Sequence, residues 1–378
     1  MKKATYSIDL GWASFFELIK KNAHVAEDGV GLSVVRIFIA TYMLCFGTVS
    51  WTWIAQFPDS FHRPHVFNVV GQIIGGFPSH EVLLSLQWMY IFSLLAVIIG
   101  LKARIFSFLA FILLIFLNGI AYSFGKIDHS ILLTLLFFAL SKTNAGCKLA
   151  VYPDKPLSIE KQDIYTGLFA IIICFGIFSA GFPKALMWID FDMSTSGILR
   201  WYYEGYYSLN RRELLAPYFI YVPTILIEPM EYLVPLFEMS GFYFLVRSKR
   251  HWRLWLWLLG LFHLSNLLIL NISFKQYLIV YGFFLFASTL HLFKKNTYLL
   301  ALFLFFISFT VIFRGYELIT NFEGTVDGLF ETSPLADILH WVFYLTCGAP
   351  YIIWSFIPFT KRAKTDAKNT YSNNAKQM

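Results

Sequence analysis

The stretch IYTGLFAIIICFGIFSAGFP, residues 164–183, decides the fold class because none of its residues is charged. A run of about twenty apolar residues is long enough to cross the hydrocarbon core of a bilayer as one helix. Lys184 follows directly, in a turn that contains Gly181 and Pro183. A partly desolvated lysine can act as a base, whereas many helix-end lysines extend their amine to the lipid interface. Both interpretations are open from this stretch alone.

The same apolar pattern recurs along the chain. With 57% hydrophobic and 14% charged residues and a mean hydropathy of +0.61, the composition excludes an ordinary soluble protein. Other charge-free windows of about the length of a span are 37–58, 82–101, 105–125, 254–274, 276–293, 296–313 and 338–360. Residues 129–141 form a shorter window, and residues 218–246 form a longer one that three prolines interrupt. We predict an all-α, polytopic integral membrane bundle of about ten transmembrane helices.

The basic residues predict the orientation of these helices. If the helices alternate from a cytoplasmic N-terminus, 21 of the 30 lysines and arginines fall on the inner side and 8 on the outer side, leaving out Arg36. The positive-inside rule expects this asymmetry. Both termini are therefore predicted to be cytoplasmic, in a bacterial-like inner (plasma) membrane. The net charge of +7 belongs to the inner loops and the tail, so no nucleic-acid partner is expected.

Composition changes only near the C-terminal end. We predict one transmembrane domain over residues 1–360, in which residues 1–31 form a cytoplasmic or interfacial N-terminal segment. Trp12 and Phe15 have helical spacing there, which favours a helix on the inner membrane surface or a soluble cap. Residues 361–378 are poor in apolar side chains and are predicted to be a disordered cytoplasmic tail.

Polar residues at membrane depth are costly, so each one is a functional hypothesis. Four groups stand out in the predicted spans: Asp128 with His129; Lys184; Glu228, Glu231 and Glu238; and His263 with Asn266. The alternating topology places His129 and Lys184 at the same face of the membrane. A shared site is therefore geometrically possible.

The same residues also have structural interpretations. His129 can cap a helix, and His263 and Asn266 can hold helices together by hydrogen bonds. The three glutamates share one helix face, where they can pair with Arg36 or with Arg211–Arg212. In that interpretation Arg36 and the glutamates are structural polar residues.

Two features of the predicted outer loops complete the inventory. Residues 187–207 are rich in Trp and Tyr, which is typical of an interfacial aromatic belt and also suits the lid of a site. His62 and His65 have ligand-like spacing without a third ligand, and the four cysteines show no metal or disulfide spacing. No metal is expected.

Three strings together resemble the HTTM family, the family of the vitamin K-dependent gamma-glutamyl carboxylases. They are KIDHSILLTLLFFAL at 126–140, FSAGFPKALMW at 178–188 and FHLSNLLILNISF at 262–274. Arg36 in GLSVVRIFIA is similar to the arginine that often begins the first span of that family. The resemblance covers roughly residues 28–290.

The resemblance implies an enzyme that uses a lipidic quinol, such as vitamin K hydroquinone or menaquinol, with O2 and CO2 as further reactants of a lyase-type carboxylation. Lys184 would be the base that deprotonates the quinol, and His129 would orient or stabilise the oxyanion. Residues expected around the quinone are His263, Asn266, Asp128 and Trp188. The expected partners are the bilayer, the quinol and a peptide or protein substrate.

Two features of the chain depart from the family pattern and narrow the expected reaction. Asp128 stands where the family has asparagine, and the chain ends soon after its last predicted span. We therefore expect quinol oxygenation more than carboxylation of a peptide. The alternatives are a non-catalytic membrane partner in peptide maturation or in a redox complex, and a transporter, which the proline-broken sixth span favours.

Overall fold

A computed structural model describes residues 2–25, 29–47, 50–125, 130–192, 194–292 and 334–356, together with parts of 301–315. These residues fold into helices and connecting loops without forming a strand. The helices are α1 (Lys2–Ala23), α2 (Gly29–Phe46), α3 (Val69–Ile74), α4 (His80–Ile99), α5 (Ala103–Ala121), α6 (Ile131–Ser141), α7 (Ile159–Trp188), α8 (Gly197–Tyr203), α9 (Ala216–Phe219), α10 (Thr224–Met239), α11 (Gly241–Arg247), α12 (Lys249–Leu270), α13 (Tyr277–Leu292) and α14 (Pro334–Phe356). Shorter turns are the 3₁₀ helices Thr52–Gln56, Asp59–Phe61 and Asn144–Gly146, and the π-helical turn Glu204–Ser208.

Five of the described helices are long and apolar enough to cross a membrane: α2, α4, α5, α7 and α12. Helices α6 and α13 are shorter but also apolar. An all-helical chain with membrane-spanning helices was the prediction from sequence, and the structure confirms it at this level. The count of about ten spans stays a prediction, since much of the window 296–313 and the tail 361–378 lie outside the described residues.

The boundaries of the spans differ from the charge-free windows in two places. The window 37–58 misplaces the first span, because α2 starts at Gly29 and contains Arg36, whose guanidinium is buried against carbonyl groups. The window 218–246 is divided into α9, α10 and α11. Pro223 precedes α10, and two further prolines lie within α10 without ending it.

Loops predicted for the same membrane face meet in the structure. Leu101 bridges to Tyr152, and Arg63 bridges to Phe124 at the opposite end of the bundle. The first pair lies near Arg36, and we call this region, together with Arg253 and the His24 carbonyl to which it donates, the arginine end. Helix α7 runs for 30 residues from the arginine end to Lys184, and we call the region around that residue the lysine end.

Helix α10 packs closely against the last turns of α7. A Cβ at Gly181 would lie 2.7 Å from Glu238 Cβ and 3.0 Å from the Pro235 carbonyl oxygen, so only glycine allows this approach. Lys184 lies one turn further along α7 and is thereby brought beside Glu238. The three glutamates of α10 are all buried, at 8%, 1% and 4% exposure, on the face that the sequence spacing predicts.

The predicted N-terminal surface helix is part of α1. Ile19 and Ala23 are fully buried against the bundle, whereas Trp12 and Phe15 are exposed. The exposed aromatic side chains are compatible with a membrane surface, and that placement stays a prediction.

Candidate functional site

A cavity of about 1890 Å³ lies at the lysine end. It is lined by residues of α7, α10, α12, the start of α6 and the 272–277 loop, and by described residues of the stretch 190–211. Small-molecule pockets usually have volumes of about 300–1,000 Å³, so this cavity is large enough for a lipid. Phe175 and Met187 line it and are 62% and 68% exposed, so the cavity reaches the outer surface of the bundle along α7.

The cavity wall contains an ion pair between Lys184 and Glu238. Lys184 Nζ donates to both carboxylate oxygens, at 2.6 and 2.7 Å, and the side chains are only 16% and 5% exposed. An ammonium group donates three hydrogen bonds and accepts none, so two of its three protons point at Glu238. The snorkelling interpretation is wrong, because the amine is bound to a buried carboxylate.

Two tryptophans surround the remaining side of the ammonium. Lys184 Nζ lies 5.8 Å from the ring centre of Trp188 and 5.6 Å from that of Trp201, within range of cation–π attraction. The two rings meet edge to face at 6.1 Å. A Cβ at Gly197 would overlap the Trp188 indole, so a glycine is required where the chain passes this ring.

The other two glutamates of α10 have different partners. Glu231 Oε1 accepts from the Ser196 hydroxyl and, at 3.1 Å, from the Ile198 N–H, so it caps the start of α8. Glu228 accepts from the Tyr232 hydroxyl. The predicted pairing of these glutamates with Arg36 or Arg211–Arg212 is wrong, since none of the described contacts joins them.

Residues 189–215, which we call the cap segment, are tied down on both sides of the cavity. Glu231 holds its first half, as described. In its second half, Glu213 N donates to Asn271 Oδ1 at 2.7 Å, and Asn271 Nδ2 donates to the Glu213 carbonyl oxygen at 3.0 Å. The Thr195 hydroxyl donates to Asp190 at 2.7 Å and thereby lowers the pKa of that exposed carboxyl. Both interpretations of residues 187–207 stay predictions, since Trp188 and Trp201 line the cavity whereas Tyr203 and Tyr207 are exposed as in an aromatic belt.

His263 and Asn266 both line the cavity from α12. His263 Nε2 lies 2.9 Å from the Tyr281 hydroxyl, which joins α12 to α13 as the structural interpretation expects. The other ring nitrogen, Nδ1, is buried and has no hydrogen-bond partner among the described residues. Asn266 therefore adds a polar group to the cavity wall, whereas the Nδ1 atom of His263 is enclosed by protein.

The remaining predicted residues fall in two classes. Asp128 and His129 lie outside the described residues, but the adjacent Ser130 lines the cavity and accepts from Asn118 Nδ2 at 2.8 Å. Arg36 is at the opposite end of the molecule, where it donates to backbone carbonyls. Among the described residues, no group of three or more His, Cys, Asp or Glu side chains could hold a metal ion.

The sequence interpretation missed Trp201, Tyr281 and the partnership of Glu238 with Lys184. Trp201 was visible only as one member of an aromatic segment. Glu238 carried a usable signal, because a carboxylate inside an apolar span requires a nearby cation or donor. What the sequence could not supply was which cation, since Lys184 and Glu238 are 54 positions apart.

No family model, curated protein or solved structure matches this chain. The HTTM resemblance therefore rests on the three sequence strings and Arg36, and the function of the cavity is inferred from its own residues.

Proposed function

We propose that the cavity binds a lipidic quinol and that the Lys184–Glu238 pair accepts a proton from one of its hydroxyl groups. The observation that carries this proposal is a buried ion pair in the wall of a lipid-sized, mainly apolar cavity. The HTTM resemblance of residues 178–188 supports the same assignment. A quinol, when bound, supplies a hydroxyl group that becomes reactive toward oxygen once it is ionised.

Before a ligand binds, the ammonium group of Lys184 and the carboxylate of Glu238 neutralise each other. The pair can then take up one further proton. Lys184 Nζ passes a proton to Glu238 and then accepts the proton of the ligand, so the pair changes from neutral overall to a single positive charge. Lys184 is the group that meets the ligand, and Glu238 holds the transferred proton. Trp188 and Trp201 keep the amine in position and exclude water from it.

The other residues of the cavity wall are proposed to bind the quinol. The Asn266 amide can hydrogen-bond the polar head, the His263 ring lies beside it in the cavity wall, and the apolar side chains of α7 can contact an isoprenoid tail. His129 and Asp128 directly precede Ser130, a residue of the cavity wall, so they are proposed to complete the polar end. These residue types fit a neutral aromatic head group with hydroxyl substituents.

The proposed function assumes a bundle of about ten spans in the inner membrane of a bacterial-like cell, with both termini in the cytoplasm. The cavity then lies in the outer half of the inner membrane, where a quinol can enter laterally from the bilayer. O2, CO2 and a peptide or protein substrate are the further reactants that the HTTM resemblance suggests.

A pair of substitutions at Lys184 tests the proposal. Purified protein is mixed with menaquinol or vitamin K hydroquinone and oxygen, and loss of quinol and formation of epoxide are followed. Lys184→Arg keeps a cation for Glu238 but cannot release a proton near neutral pH, so we expect a loss of about 100-fold or more in a folded protein. Lys184→Met should lose as much. Wild-type rates in Lys184→Arg would refute the role of the amine as a base.

The structural alternative is favoured by the same ion pair, because it joins α7 to α10 beside the tight contact at Gly181. In a non-catalytic membrane partner, the pair would only hold these helices together. Lys184→Met and Glu238→Gln would then lower the unfolding temperature strongly, and Lys184→Arg would restore it. Under the proposed function, Lys184→Met and Glu238→Gln also lower the unfolding temperature, because each leaves a buried partner unpaired, but Lys184→Arg restores the unfolding temperature without restoring quinol consumption.

A further inference from the structure

Residues 61–74, which we call the α3 segment, carry an exposed apolar surface that the rest of the described chain does not cover. Five large apolar side chains of this segment are between 53% and 80% exposed: Phe61, Val66, Phe67, Val69 and Ile73. No aspartate, glutamate, lysine or arginine occurs from Pro64 to Ser79. Soluble surfaces seldom expose so many clustered apolar side chains unless they bind something, so we expect this segment to have a partner.

Helix α3 shows which side of the segment faces outward. Its inner side packs against α5, because a Cβ at Gly119 would lie 2.7 Å from Val70 Cβ, and Gly71 is buried. Val69 and Ile73 are four positions apart, so they share one side of the helix, and their exposure shows that this side points away from α5. A surface helix in water usually carries polar residues on its outward side, whereas α3 carries valine and isoleucine there.

Two polar side chains of the segment form their hydrogen bonds within the protein. Gln72 is exposed, yet its Nε2 donates to the carbonyl oxygens of His65 and Val66, at 3.3 and 3.2 Å. Asn68 Nδ2 donates to the Gly119 carbonyl oxygen at 2.7 Å, and Asn68 Oδ1 caps the start of α3. Chain that contacts lipid must satisfy its polar groups internally, because hydrocarbon offers no hydrogen-bond partner.

The α3 segment lies at the ends of two helices that are able to span a membrane. The Arg63 N–H donates to the carbonyl oxygen of Ser123, just beyond α5, at 2.6 Å, and the chain enters α4 shortly after α3 ends. Near these ends both helices have exposed apolar side chains, Val82 on α4 and Phe116 on α5. The apolar outer surface of the two spans therefore continues onto the α3 segment.

We propose that the α3 segment binds the phospholipid leaflet at the lysine end, with Phe67 and Ile73 among the acyl chains. A helix that lies along a membrane buries its apolar side about 5–10 Å into the boundary between head groups and acyl chains. A surface that binds a protein usually has a polar rim, which the uncharged stretch around α3 does not provide. Tyr122 lines the cavity and directly precedes Ser123, so the segment also sets the depth of that wall in the membrane.

Spin labels on introduced cysteines test this placement. Phe67→Cys and Ile73→Cys are labelled in the full-length protein in lipid nanodiscs, and the signal of labelled wild-type protein is subtracted. Collisions of the label with oxygen, which dissolves in lipid, are compared with collisions with a water-soluble nickel chelate. The lipid-facing control is Phe92→Cys, at an exposed position of α4, and the water-facing control is Lys155→Cys, at an exposed position before α7.

We expect the ratio of oxygen to nickel collisions at Phe67 and Ile73 to be several-fold higher than at Lys155 and close to that at Phe92. A ratio like that at Lys155 would overturn the proposal, because the segment would then lie in water. Few collisions with either reagent would also overturn it, because another protein or a second copy would then cover the segment. Both substituted side chains are exposed, so the variants should fold like the wild type, and either position alone decides the outcome.

Discussion

The two ends of the bundle use buried charge in opposite ways. At the arginine end, Arg36 and Arg253 are fully buried and donate to backbone carbonyls of other elements, among them Ala145, Leu149 and His24. At the lysine end, the buried cation Lys184 donates to a side-chain carboxylate and lines a cavity.

The partners explain the difference. A backbone carbonyl does not titrate, so an arginine bound to carbonyls fixes the positions of loops and helices and does nothing else. A carboxylate can accept a proton, and a lysine can release one, so the Lys184–Glu238 pair can change its protonation when a ligand arrives. We infer that the arginine end provides stability and the lysine end provides chemistry.

Removing an arginine should have the largest effect on stability. Arg36→Met removes the charged donor to the carbonyl oxygens of Ala145 and Leu149, of which the first also accepts from Ser33, and it should lower the free energy of unfolding by about 3 kcal/mol. Thermal unfolding in detergent measures the loss, with Arg200→Met, which changes an exposed arginine of the cap segment, as the control. An unfolding temperature of Arg36→Met equal to that of Arg200→Met would contradict the stabilising role of the arginine end.

Separating α7 from α10 should have the next largest effect. Gly181→Val places methyl groups against Glu238 and the Pro235 carbonyl, which should lower the free energy of unfolding by about 2 kcal/mol and displace Lys184 from Glu238. Quinol consumption should therefore fall together with the unfolding temperature. Gly167→Ala is the matched control on the same helix, since its Cβ would meet Lys20 Cγ at an ordinary distance of 3.4 Å. An active, stable Gly181→Val protein would show that the close helix contact does not position the pair.

Loosening the cap segment should have a smaller effect. Glu231→Ala removes the hydrogen-bond acceptor at the start of α8. The free energy of opening the cap segment should fall by about 1 kcal/mol, so the open form should be populated roughly fivefold more. Limited proteolysis should cut residues 189–215 about that much faster, while the overall unfolding temperature changes little. Glu204→Ala, at an exposed position of the same segment, is the control. Unchanged cleavage in Glu231→Ala would mean that this carboxylate does not hold the segment.

The smallest effect is expected at the hydrogen bond between His263 and Tyr281. Tyr281→Phe removes one neutral hydrogen bond, so the KM for quinol should rise by about fivefold or less with no change in folding. Tyr90→Phe is the control, because the Tyr90 hydroxyl is buried without a partner among the described residues. A KM identical to that of the wild type would indicate that Tyr281 does not orient His263.

The sequence predicted the fold class because membrane spans depend on local composition. It misplaced the first span because a charge-free window rejects Arg36, whereas the folded chain satisfies that side chain with distant carbonyl groups. It also identified the prolines of residues 218–246 as interruptions, but it could not show that Pro229 and Pro235 remain inside α10.

The site was only half predictable. Lys184 was conspicuous because it ends an apolar run, and His263 because it lies inside one. Glu238 was assigned a structural role, since its pairing with Lys184 depends on how closely α10 approaches α7 at Gly181. The ion pair of Lys275, in the loop before α13, with Asp337 of α14 was missed for a similar reason, because both residues lie at the borders of apolar windows and meet only through the packing of α14.

A density map of the protein in nanodiscs that contain menaquinone tests the central claim most directly. We expect an elongated density in the lysine-end cavity, with its ring within hydrogen-bonding distance of Lys184 Nζ and its tail along α7. A map in which ring and tail are absent, and Lys184 contacts only Glu238 while ordinary acyl chains fill the cavity, would contradict it.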